Sequence, residues 1–248
     1  MKLKVNPKSF ITEFINPVNE INKEGRMAIF YDADRDEIYS VSGTKTESIR
    51  LYNTYKCFEV EDPVDRISVN VLRLIKGLQC IDNDETNIDL DIDYTNKTCS
   101  FNSRSLKFSV NLLNDNMVSV PKFNVEVFKK FTTNHSIPVN ADSVNNIKRA
   151  LDFSSDTGKF YIEQEEEKIF FYFGDKNSTS NSTDSIRVLI ADNVTTTIPS
   201  KIYDVDVLKL ILRTKNDFSI KLNDNGVMFI EIQNNNSNLK YITTPIKK

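Results

Sequence analysis

Six glycines and a single histidine in 248 residues leave little from which to build an active centre. So few glycines provide neither a glycine-rich loop to cradle a phosphate nor a strained nucleophile turn. The one histidine, His135, follows Asn134 and has no cysteine or carboxylate at metal-ligand spacing, which argues against a zinc site or a general base and for a surface position. Cys57, Cys80 and Cys99 are odd in number, all in the first half, and form no closely spaced pair. A disulfide framework is thereby excluded, and a reduced, cytoplasmic setting is expected. No apolar run approaches the roughly 18 residues of a membrane span, and Met1 to Pro7 lack the apolar core of a signal peptide, so no membrane partner is expected. These absences point to a protein with no catalytic residues, no metal and no cofactor, hence not an enzyme.

Asp89, Asp91 and Asp93 alternate along a strand and share one face. Without a glycine-bearing calcium loop they read as a solvated strand face rather than a cation site. Asn177 and Asn181 each open an Asn-Ser-Thr triplet, expected to be a polar loop. The net charge of −3 excludes a protein that grips nucleic acid with its whole surface, but leaves room for one basic face.

The chain repeats itself. Val69-Asn-Val-Leu-Arg-Leu-Ile75 returns as Val205-Asp-Val-Leu-Lys-Leu-Ile211, an offset of 205 − 69 = 136, with a basic residue in the same register. Gly25-Arg26 returns as Gly158-Lys159 (158 − 25 = 133), and Ser48-Ile-Arg-Leu51 as Ser185-Ile-Arg-Val188 (185 − 48 = 137). Three matches in one order imply a duplicated domain. The expected division is 1–112, a connector at 113–138, and 139–248.

Each half alternates helix and strand patterns. Asn6 and Pro7 open a helix with Phe10, Ile11, Phe14 and Ile15 on one stripe, which Pro17 is expected to end. Short alternating runs to Val60 predict antiparallel strands. A second helix is expected after Asp65, with Ile67, Val71, Leu74, Ile75 and Leu78 inward and Arg66, Asn70 and Arg73 on the far side. More strands follow, and the second half repeats the order, with a helix led by Asn140 or Asp142 and another around Val205 to Leu212. The expected fold class is α+β, with two helices packed on antiparallel sheets in each of two domains.

This order resembles the sliding DNA clamps. Leu239-Lys-Tyr-Ile-Thr-Thr-Pro245 is similar to the last strand and tail of the proliferating cell nuclear antigen, and Arg73-Leu-Ile-Lys76 to the basic helix that the family turns toward DNA. The opening Met-Lys-Leu-Lys with its short Phe/Ile helix, the chain length and the Asn/Lys/Ile bias are similar to clamps of T4-like bacteriophages. The resemblance implies a non-catalytic, ring-forming homotrimer that encircles double-stranded DNA without reading its sequence, tethers a DNA polymerase, and is opened by a clamp loader ATPase. Lys8, Arg66, Arg73, Lys76, Lys148, Arg149, Lys209 and Arg213 would face DNA. Val118, Val120, Pro121, Tyr241, Pro245 and Ile246 would form the pocket for partner peptides. The alternative is a phage tail or capsid adaptor ring with duplicated β-rich domains and no DNA inside.

Overall fold

A computed structural model describes residues 1–81, 85–121, 133–154, 158–174, 185–212 and 218–246. Two compact units emerge: Met1–Phe123 with Gln233–Leu239, and Asn124–Ile232 with Lys240–Lys248.

In unit 1, β1 (Lys2–Val5) leads into a helical stretch made of α1 (Pro7–Ser9), a π-helical segment (Phe10–Ile15) and α2 (Asn16–Asn22). Then come β2 (Arg26–Asp32), β3 (Glu37–Gly43), β4 (Ile49–Lys56), β5 (Phe58–Glu61), β6 (Arg66–Asn70), α3 (Val71–Gln79), β7 (Ile88–Asp93), β8 (Thr98–Asn102) and β9 (Lys107–Asn111). One antiparallel sheet runs β4-β3-β2-β6 and a second β5-β1-β7-β8-β9. The helices lie against the first, burying Phe10, Phe14, Ile15, Leu74 and Leu78.

Unit 2 repeats the plan with β10 (His135–Val139), α4 (Ala141–Phe153), β11 (Lys159–Glu165), β12 (Lys168–Phe173), β13 (Ile186–Ala191), β14 (Lys201–Asp204), α5 (Asp206–Ile211), β15 (Phe218–Leu222), β16 (Met228–Gln233) and β17 (Ser237–Thr243), the last shared with unit 1. Its sheets run β13-β12-β11-β14 and β10-β15-β16-β17. The β15–β16 turn closes on Gly226 at φ +80, where a Cβ would lie 2.7 Å from Cγ of Lys201. Glycine suits both the left-handed backbone and the close approach there.

The structural register of the repeat differs from the one that the apolar match suggests. Asn6 and Asn140 (140 − 6 = 134) each end a first strand and cap a helix, accepting from Ser9 N and Ser143 N at 2.9 Å. Val71 N donates to Gly25 O at 2.9 Å, and Val205 N to Gly158 O at 3.1 Å (205 − 71 = 134). The copies therefore align at 134 at these junctions, and the 136 match is a slip of two residues. Such a slip keeps strand parity but turns a helix by about 200°. In the true register Arg73 falls opposite Val207, which is fully buried, and Lys209 opposite Ile75. The basic residue is not duplicated at a matched position, contrary to expectation.

Pro17 does not end the first helix. It sits at the start of α2, and the π-helical turn before it moves the Asn16 N–H onto Ile11 O. A proline removes one helical donor and crowds the carbonyl four residues back, here Glu13. The carbonyls freed are taken by the buried Asn53 amide, which donates to Glu13 O at 3.1 Å and Phe14 O at 2.9 Å. The second helix also differs from expectation, because residues 66–70 are strand and Asn70 caps a helix that begins at Val71. Ile67 and Val69 fill the core by strand alternation rather than a helical stripe.

Candidate functional site

The basic residues of the expected DNA face fall on the helices of both units, with two exceptions. Lys8 is exposed on α1, and Arg73 and Lys76 on α3, which packs against α1 and the π-helical turn. In unit 2, Arg149 is exposed and Lys148 half-buried on α4, while Lys209 is exposed on α5. Lys209 pairs with Asp206 at 3.1 Å, so its charge is partly compensated. Lys76 lies in the last turn of α3, where a cation also complements the helix dipole. Arg66 is the first exception. It lies on β6, opposite Phe30 of β2, and its guanidinium donates to Asp115 O and Val118 O at 2.8 and 2.9 Å. It holds the chain after β9 and does not belong to a helical face. Period-2 alternation in Arg66-Ile67-Ser68-Val69 just before the capping Asn70 was the available signal. The second, Arg213, lies outside the described residues, as do Asn177 and Asn181.

The expected peptide-pocket residues divide between the units. In unit 1, Val118 is buried and Val120 and Pro121 are half-buried. Pro121 packs over Gly43, where a Cβ would meet its Cγ at 3.3 Å. In unit 2, Pro245 and Ile246 are half-buried, and Ile246 N donates to Ile202 O at 2.8 Å, laying the tail along the edge of β14. Tyr241 differs from expectation: at 1% exposure it is a core residue of β17 that can support a surface but not line one.

His135 is not the surface residue that its neighbours imply. It opens β10, its side chain is 13% exposed, and Nε2 lies 3.4 Å from Asp224 Oδ1. Asp89 and Asp91 on β7 stand opposite Lys4 and Lys2 of β1. The two ammonium groups pair on the other side with Glu59 and Glu61 of β5, and among the described residues no group of three or more His, Cys, Asp or Glu could hold a metal ion. Burial pushes the Cys57 and Cys99 thiols up to about 12, so both behave as packing residues at neutral pH. No described helix is long and apolar enough to cross a membrane.

Two strand edges complete the picture. β9 borders the five-stranded sheet of unit 1 and β13 the four-stranded sheet of unit 2, each with one neighbour among the described residues. Leu189 on β13 is 44% exposed. A row of backbone donors and acceptors beside an exposed leucine is suited to pairing with another strand.

No family model and no curated protein matches the sequence. Solved structures do match. PCNA of A. fulgidus, with the C-terminal region of FEN-1 bound, is similar over 100% of this chain and 98% of its own at a TM-score of 0.75 and 12% identity. PCNA of Entamoeba histolytica is similar over 99% and 98% at 0.74 and 12%. A protein described as a DNA polymerase III beta subunit, from Eubacterium rectale, covers 100% of this chain at 0.73 and 12%, with 66% of its own length matched. Matched from end to end in both helix-backed units, this chain has the fold of the DNA sliding clamps.

Proposed function

We propose that the protein is a sliding clamp that encircles duplex DNA and tethers a DNA polymerase, a scaffold without catalysis. The observation that supports this best is that PCNA chains of nearly the same extent align with both units at once. The working form is a head-to-tail homotrimer in which β9 of one subunit adds to β13 of the next. This heterologous contact satisfies both edges and closes by rotation. Lys8, Arg73, Lys76, Lys148, Arg149 and Lys209 would make loose phosphate contacts that position the duplex without reading it. Each neutralised phosphate adds salt-dependent affinity, so a sliding ring needs few contacts at once and stays on by topology. An ATP-driven loader opens the ring. The residues proposed to receive polymerase peptides are Val118, Val120 and Pro121, and separately Pro245 and Ile246. The likeness of the N-terminal segment to T4-like clamps supports a bacteriophage origin and action in the host cytoplasm.

The test is topological. Protein loaded onto nicked circular DNA should be retained through a salt wash and lost once the circle is cut. Equal retention on linear DNA, or a mass by light scattering of a stable dimer or hexamer, would remove the trimeric clamp.

A further inference from the structure

We infer that Arg66 and Asp115 form a clasp that fixes the segment 113–121 beside β6, the edge strand of the β4-β3-β2-β6 sheet, and that Arg66 is the positioning residue for partner-peptide docking. The inference rests on the clamp reading above.

The geometry is dense for so short a segment. Nη2 of Arg66 donates to the carbonyls of Asp115 and Val118 at 2.8 and 2.9 Å, and its Nε lies 3.6 Å from Asp115 Oδ1. Its guanidinium also lies over the Phe30 ring, 5.7 Å from the centroid. The Asp115 carboxylate accepts from Ser68 Oγ at 2.7 Å and from Tyr94 OH at 3.3 Å. Arg26 donates to Met117 O at 3.1 Å, and Leu113 N to Ser68 O at 2.8 Å. These bonds hold the chain ahead of Val120 and Pro121.

Two features distinguish positioning from general stabilisation. First, the side chains of Arg66 and Asp115 are 28% and 37% exposed, so their ion pair adds little to global stability. What the bonds do is select one backbone path for the segment, and a preordered docking loop binds more tightly because less freedom is lost on binding. Second, one planar group serves two carbonyls, a carboxylate and a ring together. A lysine ammonium, a compact point charge, cannot reproduce that fork.

The test uses the full-length protein and a labelled synthetic peptide of about a dozen residues from the C-terminus of the replicative polymerase of the same genome. Arg66→Gln and Arg66→Lys should both weaken peptide binding about tenfold and speed amide exchange across residues 113–121. Melting temperature, oligomer mass and the salt dependence of retention on nicked circles should not change. Ser68→Ala removes one hydrogen bond to Asp115, should give a milder loss in the same direction, and carries the test if Arg66→Gln lowers stability. Wild-type peptide affinity in Arg66→Gln, or in Ser68→Ala should that variant carry the test, would overturn the clasp while leaving the clamp reading intact. A salt slope smaller by about one counterion would instead return Arg66 to the DNA face and overturn the inference too. If the wild-type protein neither binds the peptide nor stays on nicked circles, the clamp reading fails and the clasp with it.

Discussion

Gly77 faces Phe108 so closely that a Cβ on residue 77 would lie 1.9 Å from the ring Cε2 and 2.4 Å from Cζ. Gly77 is near the end of α3 and Phe108 on the edge strand β9, where its ring stacks on buried Phe101 at 4.5 Å. A glycine inside a helix costs about 1 kcal/mol relative to alanine, and here it permits the helix to lie directly on the strand. Gly77→Ala must displace the Phe108 ring from its stack. Overpacking of this kind costs about 1–3 kcal/mol against a helical gain of about 1 kcal/mol, so a net loss of up to about 2 kcal/mol is expected in urea denaturation. In a Phe108→Ala background the same change should be neutral or stabilising, by up to about 1 kcal/mol, which a double-mutant cycle measures directly.

The free edge of β13 makes a separate prediction. Leu189 is exposed and its replacement opens no core, so Leu189→Lys should keep the melting temperature within the range of surface substitutions, about 0.5 kcal/mol. It should nevertheless shift the proposed trimer toward monomer by about tenfold or more in light scattering. An unaltered trimer would show that β13 is not the subunit contact.

Removing the helix cations should change salt dependence and not folding. Arg73, Lys76, Lys148 and Arg149 replaced together by alanine should flatten the slope of log affinity against log salt by about 0.9 for each phosphate that is no longer neutralised. Any single change should fall near the limit of measurement. Lys209 should contribute less than the others because Asp206 already pairs with it. An identical slope in the quadruple variant, at unchanged oligomer mass, would place the DNA elsewhere.

Acid should destabilise unit 2 through Glu231. Burial alone would raise its carboxyl, but Lys221 at 2.5 Å and Lys240 at 2.7 Å outweigh burial and hold it below the usual carboxylate range. A carboxylate with a depressed folded value contributes its full stability above the unfolded value of about 4.3, and the contribution fades as pH falls through the folded one. Denaturation midpoints measured from neutral pH to about pH 3 should therefore fall less steeply below about pH 4 in Glu231→Gln than in the wild type. Parallel curves would remove Glu231 from the acid response.

What the sequence determined by itself was local and periodic. Duplication, alternating strands, the cap at Asn6 and the class of fold all follow from patterns of a few residues, and solved clamps bear the fold out, whereas the choice of Asn140 over Asp142 as the second cap came from the structure. Position relative to distant chain was decided only by tertiary structure. The apolar string at 69–75 fits its partner equally well two residues out of register, and the hydrogen bonds from Val71 to Gly25 and from Val205 to Gly158 choose 134 over 136. Pro17 reads as a stop because a local rule cannot see Asn53, 36 residues on (53 − 17), supplying hydrogen bonds to the freed carbonyls. Arg66 reads as a helix residue until its carbonyl partners, 49 and 52 residues away, fix it on the sheet. In each case the deciding energy lies in a long-range hydrogen bond or packing interaction, which one-dimensional periodicity does not encode.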